Sequence, residues 1–448
     1  MSLTFLTKPF PRFALSAFSC LIACSLTSSA FAENLLQVYQ HAKQNDAQLK
    51  ISEIGYLAAL EKKPQVLSAL KPRLDLGATA SYNLQYLNTK RSEDGNASLN
   101  LGYDLTLNKP LINKKLRAQV AQVDASILQA KASLEIDRQN LIIRVAEAYF
   151  QFLNAEDTLV FRKAEKGAIG RQLNQVKAYF DAGRSAITDV KEAQARYDLT
   201  GSQVVLAQQR VDVARESLRA ITTRYYKKLK SAGNKIPLIT PKPNNVEAWA
   251  KTAIKNSPQV IVAEHAINVA QKTIDIERAA RAPTLNLFAK HSGGSSFGED
   301  AVDRDSLDGS VGVKFSMPIL EGGNISSRIR EARHKLQQAR QKLELQKRLT
   351  TQQTRAAYLT IVSGLSQVRA LKQALNSTQT AANATKAGFE AGTRTAVDVL
   401  LSLRETFSAK RDYTNARYDF LLNTLKLKQA AGTLSEADVA KLSRLLTK

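Results

Sequence analysis

The sequence predicts a mainly helical chain that also carries membrane β-strands. Each protomer supplies four strands to a trimeric, 12-stranded outer-membrane β-barrel, which an α-helical coiled-coil barrel continues. Three observations carry this expectation. The chain is an internal tandem duplication, each copy contains two strands of strict two-residue alternation, and each copy contains one helical stretch longer than a globular domain of this size uses.

The duplication appears as matched segments. Asn45-Asp46-Ala47-Gln48-Leu49 returns as Asn256-Ser257-Pro258-Gln259-Val260, and Pro72-Arg73-Leu74-Asp75-Leu76 as Pro283-Thr284-Leu285-Asn286-Leu287. Phe180-Asp181-Ala182-Gly183 is answered by Phe389-Glu390-Ala391-Gly392, and Asp189-Val190 by Asp398-Val399. One long-period repeat of this kind makes two structural halves, not a solenoid. The expected organisation is a signal peptide over 1–32, a first repeat over 33–226, a linker at mid-height over 227–245, a second repeat over 246–434 and a tail over 435–448.

The strands are expected near 73–87, 97–108, 283–291 and 309–317. In the first, Leu74, Leu76, Ala78, Ala80, Tyr82, Leu84 and Tyr86 alternate with Arg73, Asp75, Thr79, Ser81, Asn83 and Gln85. Period two over roughly ten residues suits a tilted strand that crosses a bilayer. Polar loops are expected over 88–96 and 293–308, and Pro72, Pro110, Pro283 and Pro318 are expected at the strand–helix junctions. Four strands cannot close a barrel, and an open edge is not tolerated in lipid. Three protomers would supply twelve, an even number within the range of such barrels, around a polar interior.

Two proline-free stretches, 113–179 and 325–388, keep a 3-4 apolar spacing, as in Leu116, Val120, Val123, Ile127, Ala130 and Leu134. Each predicts a helix on the order of 100 Å long. Shorter helices are expected over 34–70, 188–226, 246–281 and 396–432, stacked in pairs so that their ends meet at mid-height.

The first residues read as a leader: Lys8 and Arg12, an apolar run, then Ala30-Phe31-Ala32, with cleavage expected before Glu33. Leu21-Ile22-Ala23-Cys24 also fits the lipoprotein pattern, which would leave an acylated Cys24. Cys20 and Cys24 are the only cysteines, so cleavage after Ala32 leaves no thiol for disulfides, zinc or nucleophilic catalysis. The net charge of +24 is spread along helical patterns with few aromatics, which argues against nucleic acid as a partner. His41, His265, His291 and His334 lie far apart, and no phosphate loop or dinucleotide fingerprint is present. No cofactor, metal or enzymatic activity is expected. Asp303, Asp305 and Asp308-Gly309 lack the spacing and the closing glutamate of a calcium loop and read as an external loop. A periplasmic adaptor, a soluble coiled-coil scaffold and a secreted enzyme are competing classes. An adaptor would carry its strands as a soluble module without this alternation, a scaffold gives no reason for paired strands in both halves, and an enzyme would need a site that the sequence does not show.

The chain resembles the TolC family of trimeric outer-membrane ducts over essentially the whole span from Glu33-Asn34-Leu35 to Ala431-Gly432-Thr433-Leu434. The specific signatures are two turns, Ala186-Ile187-Thr188-Asp189-Val190 and Gly392-Thr393-Arg394-Thr395-Ala396-Val397-Asp398-Val399. The resemblance implies a homotrimer in the outer membrane, extending into the periplasm. It also implies a periplasmic adaptor (membrane fusion protein) and an inner-membrane transporter of the RND, ABC or MFS class, serving efflux or type I secretion. It implies a resting state closed at the periplasmic tip, with Arg394 pairing to Thr188 and Asp189 and with Asp398 forming a ring of three carboxylates. Phe389 replaces a tyrosine of the family lock, and Leu401 stands where a second acidic ring is expected. The adaptor-facing tips would be Ala182, Gly183, Arg184 and Ala391, Gly392, Thr393. For Asp189, Asp398 and Arg394, helix capping and ordinary surface pairing are the alternative.

Between Arg328 and Arg355 there are nine Lys or Arg residues and only Glu331 and Glu344 as acids. If part of that face lines the lumen, the channel should prefer anions, and a cation-selective reversal potential would oppose it. The charges could equally face the periplasm.

Overall fold

The computed structural model describes residues 32–89, 92–233, 238–298 and 304–446. The expected signal peptide, up to Phe31 and with the alternative at Cys24, lies outside the described residues. Each half runs helix, helix, strand, strand, long helix, helix. The first half contains α1 (Leu35–Asn45), α2 (Ala47–Ser68), β1 (Arg73–Thr89), β2 (Ser92–Asn113), α3 (Lys114–Asp181) and α4 (Ile187–Thr222). The second contains α5 (Val246–Asn256), α6 (Pro258–Ala279), β3 (Thr284–Gly298), β4 (Arg304–Ser316), α7 (Asn324–Glu390) and α8 (Ala396–Ala430), and α9 (Glu436–Ser443) follows.

The four strands form one antiparallel sheet in the order β1-β2-β3-β4. Register sorts the side chains as alternation requires. Leu74, Leu107, Ala289 and Val311 share one row of one face, while Asp75, Thr106, Lys290 and Ser310 share a row of the other. The apolar face packs on nothing within the chain: Leu76 is 74 % exposed, Leu84 77 % and Val311 80 %. A soluble sheet would cover such a face, whereas lipid covers it in a membrane wall. β1 and β4 are the sheet's edges. Among the described residues no helix is long and apolar enough to cross a membrane.

The structure corrects several expected boundaries. The hairpins run beyond the expected loops, Asn88 pairing with Glu93 and Ser295 with Asp305, because ladder hydrogen bonds continue where apolar alternation has ended. Asp305 and Asp308 therefore lie on β4 instead of in a loop, and Asp305 accepts a 2.7 Å bond from Ser295 Oγ; Asp303 lies outside the described residues. Pro110 sits inside β2, at the register shift between Pro110 and Ile112, and not at its end. Proline has no N–H for the ladder, so a bulge is where a strand accommodates it. The helices expected over 34–70 and 246–281 are each broken in two, at Asp46 and Ser257, whose backbones are extended with ψ of 118° and 122°. Asp46 caps α2 by accepting from Leu49 N at 2.7 Å, and Pro258 opens α6. The first repeat signature found in the sequence is this break itself. The tail beyond 434 is partly helical, as α9.

α3 and α7 are 68 and 67 residues long, each about 100 Å. The principal core surrounds the middle of α3, where Tyr149 and Phe152 are fully buried among Leu35, Leu218, Tyr226, Leu229, Tyr418, Leu427 and Val439. The segment beginning at Glu33, the linker and the tail therefore meet there. Glu33 bridges to Leu229, Lys230 N donates to Glu33 O at 2.9 Å, and Tyr149 Oη donates to Lys230 O at 2.6 Å.

Buried and half-buried carboxylates in this belt give stability a pH profile. Arg144 forks onto Asp46 at 2.7 and 3.0 Å. Burial works to raise the Asp46 carboxyl, but the Arg144 bonds and the Leu49 amide outweigh it and hold it below the usual range. Partial burial raises Asp157, against a 2.6 Å bond from Tyr418 Oη, and it raises the half-buried Glu156 as well. A raised group favours the folded state increasingly as pH falls through its folded pKa. A depressed one loses its contribution as pH falls below the unfolded value of about 3.9. Unfolding by urea, followed by helical circular dichroism at stepped pH, should show stability rising from neutral into mild acid and then falling below about pH 4. A curve that declines steadily from pH 7 would contradict the assignment.

Candidate functional site

The end of the chain farthest from the sheet is built from the two helix–turn–helix tips, one per repeat. α3 ends as Gly183 enters the left-handed region at φ +71°, with Gly183 N bonded to Phe180 O at 2.8 Å and Arg184 N to Tyr179 O at 2.7 Å. α7 ends in the same way at Gly392, φ +77°, with Gly392 N on Phe389 O at 3.0 Å and Thr393 N on Gly388 O at 2.8 Å. Both are helix terminations that glycine makes without steric cost. Ala182, Gly183, Arg184, Ala391, Gly392 and Thr393 are all exposed.

The acids after each turn begin the returning helices. Asp189 accepts from Ser185 Oγ at 2.8 Å and from Ala186 N at 3.4 Å. Asp398 accepts from Thr395 N at 3.0 Å, while its own N–H donates to Thr395 Oγ1 at 3.2 Å. The Thr395 amide and hydroxyl, with a smaller pull from Arg394, hold the Asp398 carboxyl below the usual carboxylate range. Capping therefore accounts for the local bonds of both acids. Thr188 and Arg394 are exposed, and among the described residues of one protomer no ion pair joins Arg394 to Asp189.

Below these turns the two tips share a core. Val176, Phe389, Ala396 and Val399 pack with Tyr179, Val190 and Leu403, and one turn away Ile169, Leu173, Ala193 and Leu400 form a second layer. Leu401 beside it is half-buried. Phe389 stacks on Tyr179, ring centroids 5.5 Å apart and planes 27° apart, which ties one repeat's tip to the other's. Arg184 also lies over the Tyr179 ring, its guanidinium 5.1 Å from the ring centre. Tyr179 and Gly388 escaped the sequence reading. The two residues hold matched places just before Phe180 and Phe389, which was the signal available. Gly388 has a purpose here, because a Cβ on it would stand 2.9 Å from Arg394 Cγ and 3.1 Å from Thr393 Oγ1. The Arg394 stem lies on the bare backbone.

The basic stretch of α7 is partly paired: Arg328 with Glu277, Lys335 with Glu331, Arg348 with Glu344 and Arg355 with Glu247. Arg330, Arg333, Arg340 and Lys342 are exposed, away from the buried stripe of Ile329, Ala332 and Leu336.

Comparison with known proteins gives a consistent result. The family model described as outer membrane efflux protein matches residues 38–224 and 249–433, which are the two halves of the duplication. The chain is 36 % identical to the outer membrane protein TolC of Escherichia coli over 96 % of its own length and 88 % of that protein's. It is 27 % identical to the alkaline protease secretion protein AprF of Pseudomonas aeruginosa, over 92 % and 87 %. Among solved structures, the Campylobacter jejuni CmeC outer membrane channel superposes with a TM-score of 0.72 at 16 % identity, covering 99 % of this chain and 98 % of that one.

Proposed function

From a chain that belongs to the outer membrane efflux protein family, and so is an outer-membrane exit duct for efflux and secretion, we infer a working unit of three copies. A single observation carries this reading: a sheet of only four strands bears an uncovered apolar face, two open edges and helices of about 100 Å hung beneath it. Hydrocarbon does not accept unpaired strand edges, so β1 of one copy pairs with β4 of the next, and twelve strands close the wall. The flanking helices support the same assembly. α2 exposes Ile51, Ile54 and Leu57, α4 exposes Leu199, Val205, Leu206 and Val213, and α7 exposes Leu345, Leu349, Leu359 and Val362. These faces would be covered by neighbouring copies.

The tips at Gly183 and Gly392 are the surfaces offered to a periplasmic adaptor, which joins the duct to an inner-membrane transporter of the RND, ABC or MFS class. The family and the relatives are channel proteins, and no reaction is assigned to the chain. Heat-modifiable mobility in mild SDS tests the trimer, since a closed barrel resists unfolding until heated. A purified protein that stays monomeric and soluble without detergent would overturn it. Crosslinking in cells followed by co-purification identifies the adaptor.

The tip is the gate in this reading. Arg394 reaches the Thr188–Asp189 rim of a neighbouring coil, the three Asp398 carboxylates face the axis, and Leu401 supplies an apolar ring where the family has an acidic one. Arg394→Ala is expected to raise single-channel conductance severalfold; an unchanged conductance would remove Arg394 from the gate. Phe389 contributes packing on Tyr179 instead of a lock hydrogen bond, so Phe389→Ala should open the tip by loosening its core.

A further inference from the structure

We propose that the helix-side end of the sheet carries a cationic collar that holds the phosphate headgroups of the membrane leaflet facing the periplasm. The collar is assembled from all four strand–helix junctions. Approaching β1, the segment 62–73 contains Lys62, Lys63, Lys71 and Arg73 and no Asp or Glu. Leaving β2, the segment 109–123 contains Lys109, Lys114, Lys115 and Arg117, again without an acid. Arg278 and Arg281 precede β3, and Arg328, Arg330, Arg333 and Lys335 follow β4. Of these, Lys63 is paired with Asp124, Arg73 with Asp75, Arg328 with Glu277 and Lys335 with Glu331. Lys62, Lys71, Lys109, Lys114, Arg117, Arg278, Arg281, Arg330 and Arg333 are exposed.

Two features separate this belt from an ordinary solvated surface. First, Lys109 is continuous with the lipid wall: it pairs across to Leu287, on the apolar side of the sheet, one rung before Pro110 pairs with Asn286 and the register shifts. A lysine there lays its stem on hydrocarbon and puts its ammonium at headgroup level. Second, α3 begins Lys114-Lys115-Leu116-Arg117, three cations and no acid in its first four residues. A helix N-terminus favours negative charge, as α4 and α8 obey at the other end of the molecule with Asp189 and Asp398. Three cations at the start of α3 oppose that field unless anions outside the chain offset it. Arg278 and Arg281 sit at the end of α6, where cations suit the dipole in any case, and carry less weight.

The test uses the full-length protein reconstituted in phosphatidylethanolamine vesicles containing phosphatidylglycerol. Spin-labelled phosphatidylglycerol should associate with the protein about fivefold more than spin-labelled phosphatidylcholine, and the ratio should fall as salt is raised. Lys109→Gln combined with Lys114→Gln and Arg117→Gln should bring it near one. Lys342→Gln, roughly 27 Å down α7 from its start at Asn324 and about 10 Å beyond Lys335, should leave it unchanged. The single substitution Lys109→Gln, which leaves the α3 cap intact, should lower the ratio on its own and guards against misfolding of the triple variant. A native ratio near one, or a triple variant that keeps the native ratio, overturns the collar while leaving the duct intact. Failure of the native protein to enter vesicles at all would overturn the membrane wall instead.

Discussion

Glu165→Ala is expected to lower the stability of the helical barrel by about 3–5 kcal/mol, read as a shift in the urea midpoint of the helical signal. The carboxylate is only 2 % exposed, and one oxygen, Oε2, accepts from Arg162 at 2.8 Å and from Arg411 at 3.2 Å. Arg162 lies on α3 with Glu165, whereas Arg411 lies on α8, so the carboxylate clasps the two repeats together between the mid-height core and the tip. Its removal leaves two guanidiniums facing each other with no counter-ion. Burial and the Arg162 charge already pull Arg411 down, with Glu165 working against them. The double variant Glu165→Leu with Arg411→Leu should recover much of the loss, because deleting both partners removes the unpaired charge as well as the pair. A single variant within 1 kcal/mol of the parent would mean that water reaches the site.

Gly432→Ala is expected to be of similar weight, about 3 kcal/mol, from two causes that add. The residue closes α8 at φ +68°, where a side chain costs about 1 kcal/mol or more. A Cβ there would also stand 2.4 Å from Asn256 O and 2.6 Å from Ser257 N, and both are backbone atoms that cannot rotate away. These atoms belong to the break between α5 and α6, so the clash would push the α8 end off that corner. The thermal midpoint measures the loss. Gly183→Ala makes a useful comparison, since it has the same left-handed backbone, φ +71°, with nothing within 4 Å of the added atom. The difference between the two variants isolates the close approach from the strain, and equal losses would show that packing at Asn256 contributes nothing.

Much of the architecture was legible because it is written in periods. Alternation placed all four strands, the 3-4 spacing placed the two long helices, and the repeated Phe-Asp/Glu-Ala-Gly placed both tips. What misled was local geometry that apolar pattern does not encode. Asp46 and Ser257 interrupt helices whose hydrophobic spacing continues through them, and Pro110 is absorbed in a bulge because the strand's ladder could shift around it. Strand ends overran the expected loops, since ladder bonds need no apolar side chains. At the tip, the acids and glycines were found, but their capping bonds and the Tyr179–Phe389 stack were not, because aromatic partners more than 200 residues apart leave no spacing to read.

By itself the sequence determined the duplication, the strand faces and the lengths of the two long helices, all consequences of side-chain period and of chain geometry per residue. Only the tertiary structure decided which partner each buried or half-buried carboxylate meets: Glu165 with Arg411, Asp46 with Arg144 and Asp157 with the Tyr418 hydroxyl. The reason is that a charge gains a partner through the packing of whole helices, and residues far apart along the chain carry no mark of the position where those helices cross.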